Sequence, residues 1–244
     1  MLRPTAPSED FHRHFEESAV LARAGVTRRT LLATSSAMAG VGLAGGMTLA
    51  LGHPAALRPT NEQVSGPFYP MRLPTDQDAD LTVIAGKHAH ALGQVLYLSG
   101  RVTDTRGEPV ADGQLEIWQA NAVGRYSHPA DDNTAPVDPN FEGYARIRTG
   151  PDGSYRFKTV KPGAYPVTPI PGWLRPPHIH FDVKGRTSRL VTQMYFEGEA
   201  LNEKDIFFQR APSRQGLLAH YGAPSGEQKS NALVAVWNIV LMAG

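Results

Sequence analysis

The stretch Gly100-Arg-Val-Thr-Asp-Thr-Arg-Gly-Glu-Pro-Val110, followed by Leu115-Glu-Ile-Trp118, carries the pattern that decides the fold. Apolar and polar residues alternate along it, and the turn-forming run Arg106-Gly-Glu-Pro109 interrupts it. Successive side chains of a strand point to opposite faces, so this alternation is typical of a half-buried β-hairpin. The stretch therefore predicts strands rather than helices for the body of the chain.

Short β-rich runs continue from there to the C-terminus, separated by breaks such as Gly150-Pro-Asp-Gly153 and Lys161-Pro-Gly163. One helix is predicted, capped by Asn202 and running toward Arg210. This spacing predicts an all-β fold, an antiparallel β-sandwich with long loops and little helix. The predicted strands are Tyr97–Val102, Gln114–Gln119, Tyr144–Arg148, Ser154–Val160, His178–Lys184, Leu190–Phe196 and Leu233–Leu241.

The beginning of the chain differs from the rest in composition. Thr27-Arg-Arg-Thr-Leu-Leu32 opens a charge-free stretch, rich in small residues, that runs to about Leu51. A pair of arginines before such a stretch is typical of a twin-arginine export signal. An uncleaved membrane anchor is the alternative, because the stretch is long enough to cross a bilayer. We therefore predict an export leader over residues 1–56 and one domain over residues 57–244, located in the periplasm or outside the cell. Any membrane attachment would be through an uncleaved leader.

Composition excludes several classes of protein. Lysine and arginine number 24 against 23 aspartates and glutamates, which leaves a net charge of +1 and no excess that would attract nucleic acid. Hydrophobic residues make up 41% of the chain, enough to build a core. Cysteine is absent, so disulfides, thiolate metal sites and a cysteine nucleophile are excluded. Any metal must be held by histidine, carboxylate or tyrosine.

The segment Arg175-Pro-Pro-His-Ile-His-Phe-Asp-Val183 contains the most informative residues. On a strand, His178 and His180 project from the same face while Ile179 points to the other. Two imidazoles on one face make half of a metal site. The two prolines cannot donate ladder hydrogen bonds, so they place the start of this strand at a rim where a loop can close over a site. Taken alone, the pair is equally compatible with ordinary sheet histidines.

Two tyrosines upstream make a metal site the better interpretation. Tyr165 and Tyr126 both lie in turn-like contexts, although each alone is compatible with a core or rim residue whose hydroxyl is hydrogen-bonded. A second histidine pair, His88 and His90, has no aromatic or carboxylate cluster beside it in the sequence. We interpret that pair as solvated.

From about Gly66 to its C-terminus the sequence resembles the intradiol ring-cleavage dioxygenases, and within them the β-subunit-like group of protocatechuate 3,4-dioxygenase. The short separation between Tyr165 and His178 fits this group better than the catechol 1,2-dioxygenases. The fragments that carry the resemblance are Gly66-Pro-Phe-Tyr-Pro70, Leu115-Glu-Ile-Trp-Gln-Ala-Asn-Ala122, Gly124-Arg-Tyr126, Asp138-Pro-Asn-Phe141, Lys161-Pro-Gly-Ala-Tyr-Pro166, Trp173-Leu-Arg-Pro-Pro-His-Ile-His-Phe181 and Gln193-Met-Tyr-Phe-Glu-Gly198.

The resemblance implies a mononuclear non-haem Fe(III) bound by Tyr126, Tyr165, His178 and His180. The residue types agree with this, because ferric iron favours anionic oxygen and can ionise a coordinated phenol. The implied reaction cleaves a catechol-type ring with O2 between its two hydroxyl-bearing carbons and gives a cis,cis-muconate-type product. In this family the tyrosine that matches Tyr165 leaves the iron when substrate binds and can take up a proton.

Three further assignments follow from the resemblance. Arg175 would stabilise negative charge on the substrate ring, and Gln193 would lie near the side where dioxygen binds. The residues themselves leave plainer roles open, a surface salt bridge for Arg175 and backbone pairing for Gln193. Tyr69 would lie at the mouth of the pocket, whereas Trp118, Trp173 and Trp237 are interpreted as packing residues.

The substrate and the partners are less defined than the reaction. Val167 stands where the protocatechuate group usually carries an aromatic residue, which leaves protocatechuate, free catechol, hydroxyquinol and lignin-derived catechols as candidates. The expected partners are an aromatic diol and O2, with a homo-oligomer or an α-type partner chain and no nucleic acid. Two other classes stay open, a zinc or cupin-type enzyme that adds a carboxylate to the two histidines, and a non-catalytic exported binding module. The spaced tyrosines argue against both.

Overall fold

The structure is a computed structural model that describes residues 56–168, 170–224 and 231–244. These residues belong to one folded unit, Ala56–Gly244. The predicted leader, residues 1–56, lies outside the described residues except for Ala56. No helix in the described part is long and apolar enough to span a membrane.

The described chain is mostly β-strand with almost no helix, as predicted. Its only α-helix is the single-turn α1 (Ile206–Arg210), flanked by 3-10 turns at Ala200–Lys204 and Arg214–Leu217. The strands are β1 (Val95–Asp104), β2 (Gln114–Trp118), β3 (Tyr144–Arg148), β4 (Ser154–Val160), β5 (Tyr165–Pro166), β6 (Leu174–Arg175), β7 (His178–Lys184), β8 (Arg189–Phe196), β9 (Leu218–Gly222), β10 (Leu233–Val236) and β11 (Ile239–Leu241).

Hydrogen bonds join nine strands into one continuous sheet in the order β11-β1-β10-β9-β8-β7-β2-β3, with β4 paired to β1. The expectation of a purely antiparallel sandwich is wrong in two respects. First, β1 runs parallel to β10 and β11, and β8 runs parallel to β9 across a connection that contains α1 and the two 3-10 turns. Second, the two halves of the structure are linked by strand pairing rather than separated into two sheets.

The continuous sheet curls into a nearly barrel-like shape, so that its two halves face each other across the main hydrophobic core. The ring centroid of Phe181 on β7 lies 4.9 Å from that of Trp237 and 6.0 Å from that of Phe157 on β4. All three side chains are almost completely buried. Burial of such rings is the dominant favourable contribution to folding. Trp237 is therefore a packing residue, as predicted.

The stretch with the strongest alternation forms only part of the predicted hairpin. Its turn closes locally, because the backbone N–H of Asp104 donates to Glu108 and that of Val110 donates to Val102. The segment Leu115–Trp118, however, belongs to β2 and pairs with β3 and β7. The period of two predicted the strands correctly and could not predict their partners.

The last predicted strand, Leu233–Leu241, is interrupted. β10 ends before Trp237, whose carbonyl turns toward β1 and accepts a hydrogen bond of 2.8 Å from the hydroxyl of Tyr155. Gly100 on β1 leaves space for this carbonyl, because a Cβ atom there would lie 1.7 Å from its oxygen. The break is thus accommodated by a glycine on another strand.

The predicted helix from Asn202 to Arg210 is also divided. Asn202 lies within the 3-10 turn, and the chain is extended at Asp205. The Asp205 carboxylate accepts the backbone N–H of Phe208 at 2.8 Å and is the N-cap of α1. The helix therefore begins after Asp205 and not after Asn202.

The segment that precedes β1 crosses the edges of the sheet and leads to the site. Its backbone donates from Thr60 to Val240, from Gln63 to Val191 and from Leu81 to Lys158. These bonds cover strand edges that would otherwise expose unpaired N–H and C=O groups. They also hold Gly66–Pro70 against the ends of β7 and β8.

Candidate metal centre

Two short elements place the predicted site residues at one end of the sheet. β5 and β6 form a two-residue ladder that sets Tyr165 opposite Arg175. Pro176 and Pro177 follow, and β7 begins at His178. The register of β7 with β8 then sets His178 opposite Tyr195 and His180 opposite Gln193.

The four residues predicted as metal ligands lie together and are almost completely buried. The Nε2 atoms of His178 and His180 are 3.2 Å apart, and the Tyr165 hydroxyl oxygen lies 3.4 Å from Nε2 of His178. The ring centroid of Tyr126 is 5.4 Å from that of Tyr165 and 6.4 Å from that of His180. Among the described residues, the buried Tyr126 hydroxyl has no hydrogen-bond partner.

These contacts fit a single bound metal ion. Donor atoms that share an ion at bond lengths of about 2 Å lie about 3 Å from one another. Nδ1 of His178 donates to the carbonyl of Pro176 at 2.7 Å, since a carbonyl can only accept, and this leaves the lone pair of Nε2 free for a ligand bond. Residues 56–168, 170–224 and 231–244 contain no group of three or more His, Cys, Asp or Glu side chains that could hold a metal. His178 and His180 thus have no described carboxylate beside them that would complete a zinc site, and the nearby oxygen donors are those of Tyr126 and Tyr165.

Burial sets the protonation of the four side chains. Desolvation, with the Arg175 charge adding to it, lowers the pKa of both His178 and His180 well below the ordinary value, so their rings are neutral and able to ligate. Burial also raises the pKa of Tyr126 and Tyr165, and the positive charge of Arg175 partly offsets this. A bound cation would be needed to ionise these phenols.

Comparison with known proteins decides the family. Residues 64–243 match the sequence profile described as dioxygenase. The chain is 46% identical over 168 residues to the protocatechuate 3,4-dioxygenase beta chain of Burkholderia cepacia, an alignment that covers 67% of this chain and 71% of that one. The chain belongs to the intradiol ring-cleavage dioxygenase family. Such enzymes are oxidoreductases, so the interpretation as a non-catalytic binding module is wrong.

Two further proteins of known sequence or structure are similar to this dioxygenase. The protocatechuate 3,4-dioxygenase alpha chain of the same organism is 33% identical over 183 residues, covering 70% of this chain and 87% of that one. The chain thus matches the beta chain better than the alpha chain, as predicted. Among solved structures, the dioxygenase domain of a carbohydrate-binding fusion protein from Streptomyces sp. SirexAA-E is 27% identical with a TM-score of 0.56, and the match covers 77% of this chain and 100% of that domain.

In this dioxygenase, Arg175 lies at the centre of a buried polar network. Its Nε donates to Asp205 at 2.5 Å, and its Nη2 donates to Gln193 at 2.6 Å and to the Tyr195 hydroxyl at 3.0 Å. The guanidinium also lies 4.7 Å from the ring centroid of Phe207. Because Arg175 is 4% exposed, the surface salt bridge left open by the sequence is excluded.

Gln193 joins this network to the N-terminal segment. Its Nε2 donates to the carbonyl of Val64 at 2.7 Å, while its Oε1 accepts from Arg175. The backbone pairing considered for Gln193 therefore exists, together with a contact to Arg175. Gln193 and Tyr195 lie on the same face of β8, opposite the two histidines of β7.

Aromatic rings enclose the four candidate ligands. Phe68 packs against Tyr126 with ring centroids 4.6 Å apart, and its centroid is 6.1 Å from that of Tyr165. The indole of Trp118 stacks on His180 at 5.0 Å with an interplanar angle of 9°. Trp118, predicted as a packing residue, therefore also forms part of the site wall. This wall packs directly on the candidate ligands, which are almost completely buried.

Tyr69 lies at the outer side of this wall. Its ring meets Trp118 edge to face, and its hydroxyl donates to the buried Glu116 carboxylate at 2.5 Å. The side chain is 36% exposed, and its place at a pocket mouth stays a prediction. Burial and the Glu116 hydrogen bond raise the pKa of Tyr69, so it is a neutral donor at physiological pH.

Sequence reasoning missed several residues of the site. Asp205 pairs with Arg175 across 30 residues, and no local sequence pattern predicts such a contact. Tyr195 could have been found, because period two places it on the same face as Gln193. His88 and His90 are both exposed, in agreement with their interpretation as solvated.

Proposed function

We propose that this dioxygenase binds one Fe(III) through Tyr126, Tyr165, His178 and His180 and cleaves a catechol-type diol with O2 between its two hydroxyl-bearing carbons. The observation that carries the proposal is the convergence of three side-chain donor atoms at 3.2 to 3.4 Å beside the unpaired, buried hydroxyl of Tyr126. Two phenolates balance much of the charge of a ferric ion, whereas neutral imidazoles add ligation without charge. A nearly neutral centre is tolerated in such a dry site.

When bound, the ferric ion would withdraw electron density from a chelated catecholate and prepare the ring for attack by dioxygen. The protein side chains supply the rest of the chemistry. The buried Tyr165 hydroxyl has a raised pKa, so its oxygen holds a proton well whenever it is not a ligand. It is therefore suited to accept a proton from the incoming diol. Arg175 supplies a fixed positive charge beside the site, where negative charge develops on the ring.

The charges around the site support a proposal for the substrate class. Arg175 is already paired with Asp205, so it is not available as a counter-ion for a carboxylate on the substrate. We therefore propose an uncharged catechol as the substrate of the isolated chain. A carboxylate-bearing diol such as protocatechuate would require a cation from a second copy or from an α-type partner chain.

Iron content and oxygen uptake test the function. Purified protein should contain about one iron per chain and show a red-brown absorption from tyrosinate-to-iron charge transfer. Oxygen uptake is measured with catechol, hydroxyquinol and protocatechuate, and the products are identified to establish cleavage between the hydroxyl-bearing carbons. Protein that stays colourless and inactive after ferric reconstitution would refute the proposal.

Matched variants test the ligands. Tyr126→Phe and Tyr165→Phe should each shift the visible band, because each removes one phenolate donor, and His178→Ala and His180→Ala should lower the iron content. His90→Ala is the control from the exposed pair and should keep the iron and the colour of the parent. An unchanged spectrum in either Tyr→Phe variant would remove that tyrosine from the ligand set.

We also propose that the chain is exported by the twin-arginine route to the periplasm or beyond, and that any membrane attachment is through an uncleaved leader. The supporting observation is the pair Arg28-Arg29 before a charge-free stretch. Replacement of both residues by lysine should leave the protein in the cytoplasm, as measured by cell fractionation with immunodetection. Unchanged export of the double variant would contradict this route.

A further inference from the structure

Asp205 connects the helical segment of the molecule with the candidate metal centre. The side chain is completely buried. Its Oδ2 accepts from Nε of Arg175 at 2.5 Å, and its Oδ1 accepts from the backbone N–H of Phe208 at 2.8 Å. The Tyr195 hydroxyl lies 3.4 Å from the same Oδ1. A buried carboxylate is stable only when it is paired and hydrogen-bonded in this way.

The contacts of Arg175 fix the plane of its guanidinium and place a counter-charge beside it. Asp205 holds Nε, while Gln193 and Tyr195 hold Nη2, so the fork is fixed on two sides. The guanidinium lies close to the candidate ligands, because Arg175 is paired with Tyr165 in the β5–β6 ladder and its partners Gln193 and Tyr195 lie opposite His180 and His178. The carboxylate of Asp205 pairs with this cation at 2.5 Å and offsets much of its charge.

We propose that Asp205 is a positioning residue for the ring-cleavage reaction. It acts through Arg175, orients the guanidinium toward the site and keeps the polar surroundings of the metal nearly neutral. The cap that Asp205 provides to α1 holds the carboxylate itself in place. This inference rests on the proposed iron site and goes beyond it, since Asp205 touches none of the four candidate ligands in the structure.

The Asp205→Asn variant tests the ion pair with Arg175 separately from the cap of α1. Asparagine is also a good N-cap, so α1 keeps its first hydrogen bond while Arg175 loses its anionic partner. Loss of one negative charge beside the metal should raise the Fe(III)/Fe(II) reduction potential. In this variant the Arg175 guanidinium is no longer held in its plane. We therefore expect kcat to fall by about 10- to 100-fold and KM to change by less than about 3-fold, because the negative charge that Arg175 stabilises develops during the reaction.

Two other variants distinguish positioning from a general loss of structure. Asp205→Glu keeps the charge, so its reduction potential should stay close to that of the parent even though the longer arm lowers kcat. Glu199→Gln removes the ion pair of Glu199 with Lys161 at the start of the same segment and leaves Arg175 untouched. This control should change neither the potential nor kcat.

The results separate failure of this inference from failure of the proposed function. A parent protein without iron or ring cleavage overturns the iron site, whereas an active, iron-loaded parent whose Asp205→Asn variant keeps its potential and kcat overturns only the role of Asp205. If Asp205→Asn does not fold, thermal unfolding of the iron-free double variant Arg175→Gln, Asp205→Asn is measured. Recovery of a folded protein supports the Arg175–Asp205 ion pair. The reduction potential and kcat of Asp205→Glu then test the positioning role of Asp205. A double variant that remains unfolded contradicts the pairing.

Discussion

Gly66 illustrates how single residues shape the candidate metal centre. It has a positive φ of 70°, and a Cβ atom at this position would lie 3.3 Å from Cε1 of His180. The backbone of the N-terminal segment therefore packs directly on the imidazole. Together with Trp118, which stacks on the same ring, Gly66 restricts the direction in which Nε2 points.

Gly66→Ala should disturb the metal centre as well as the backbone. An alanine at this φ costs about 1 kcal/mol, and its methyl group displaces the His180 ring by a few tenths of an ångström. We expect reduced iron content or a shifted charge-transfer band, measured by metal analysis and visible absorption. Gly86→Ala is the matched control, because Gly86 has a φ of 82° and a Cβ atom there would meet no other atom within 4 Å. Equal iron content and identical spectra in the two variants would contradict this role of Gly66.

The sequence singled out four residues that the fold brings together, but it did not predict their surroundings. Period two placed His178 and His180 on one face, and family resemblance added Tyr126 and Tyr165. The buried partner of Arg175 was not predicted, because its contact depends on how α1 packs against β8 and not on any local pattern. The same is true of Gly66, whose importance is visible only once His180 lies against it.

At the scale of elements, the most informative feature is the break between β10 and β11. Both strands pair with β1 in parallel, and the Trp237 N–H still donates to Ser99 of β1, but the Trp237 carbonyl turns out of the ladder and lies against Gly100. The sequence Leu233–Leu241 is apolar except for Asn238 and predicts one strand. The interruption could not be predicted from that run alone, because the contacts at the break involve Gly100 and Arg101 on a strand more than 100 residues earlier in the chain.

Gly100→Ala should therefore destabilise the sheet strongly. A methyl group 1.7 Å from the Trp237 oxygen and 2.9 Å from Cε1 of Tyr155 forces β1 and the β10–β11 segment apart. We expect a loss of about 3 kcal/mol or more in the free energy of unfolding, measured by denaturant or thermal unfolding. The control is Gly222→Ala on β9, where a Cβ atom would meet only Val234 at 3.9 Å. Similar stability of both variants would show that the Trp237 break does not depend on Gly100.

At the scale of the whole molecule, stability and function involve different groups of charges. The charges at the metal centre are paired or neutral, as the Arg175 and Asp205 contact shows. A second group of carboxylates lies on the loop before β1, where Asp76 and Asp78 approach Glu142 at the start of β3. Burial and these two neighbouring charges raise the pKa of Glu142 to about 7, and Lys87 offsets them only in part.

This raised pKa makes the stability of the fold depend on pH in a defined direction. The folded state holds the Glu142 proton up to about pH 7, whereas the unfolded chain releases it near its ordinary pKa of 4.5. The folded state thus binds more protons between about pH 4.5 and 7, so the free energy of unfolding falls as the pH rises through this window. Above about pH 7 Glu142 is ionised in both the folded and the unfolded state, so this group no longer makes the free energy of unfolding depend on pH.

Glu142→Gln should remove this dependence. Glutamine carries no charge, so the variant should be more stable than the parent at pH 8, by about 1 kcal/mol after solvent screening, or ~2–4 °C in Tm. At pH 4.5 the two proteins should unfold at nearly the same temperature, because the parent carboxyl is then protonated in the folded state. Thermal unfolding monitored by circular dichroism over pH 4.5 to 8 measures the difference, with Glu62→Gln, a change at an exposed carboxylate, as the control. A constant difference between Glu142→Gln and the parent across this range would mean that Glu142 titrates alike in both states and that its neighbours do not hold its proton.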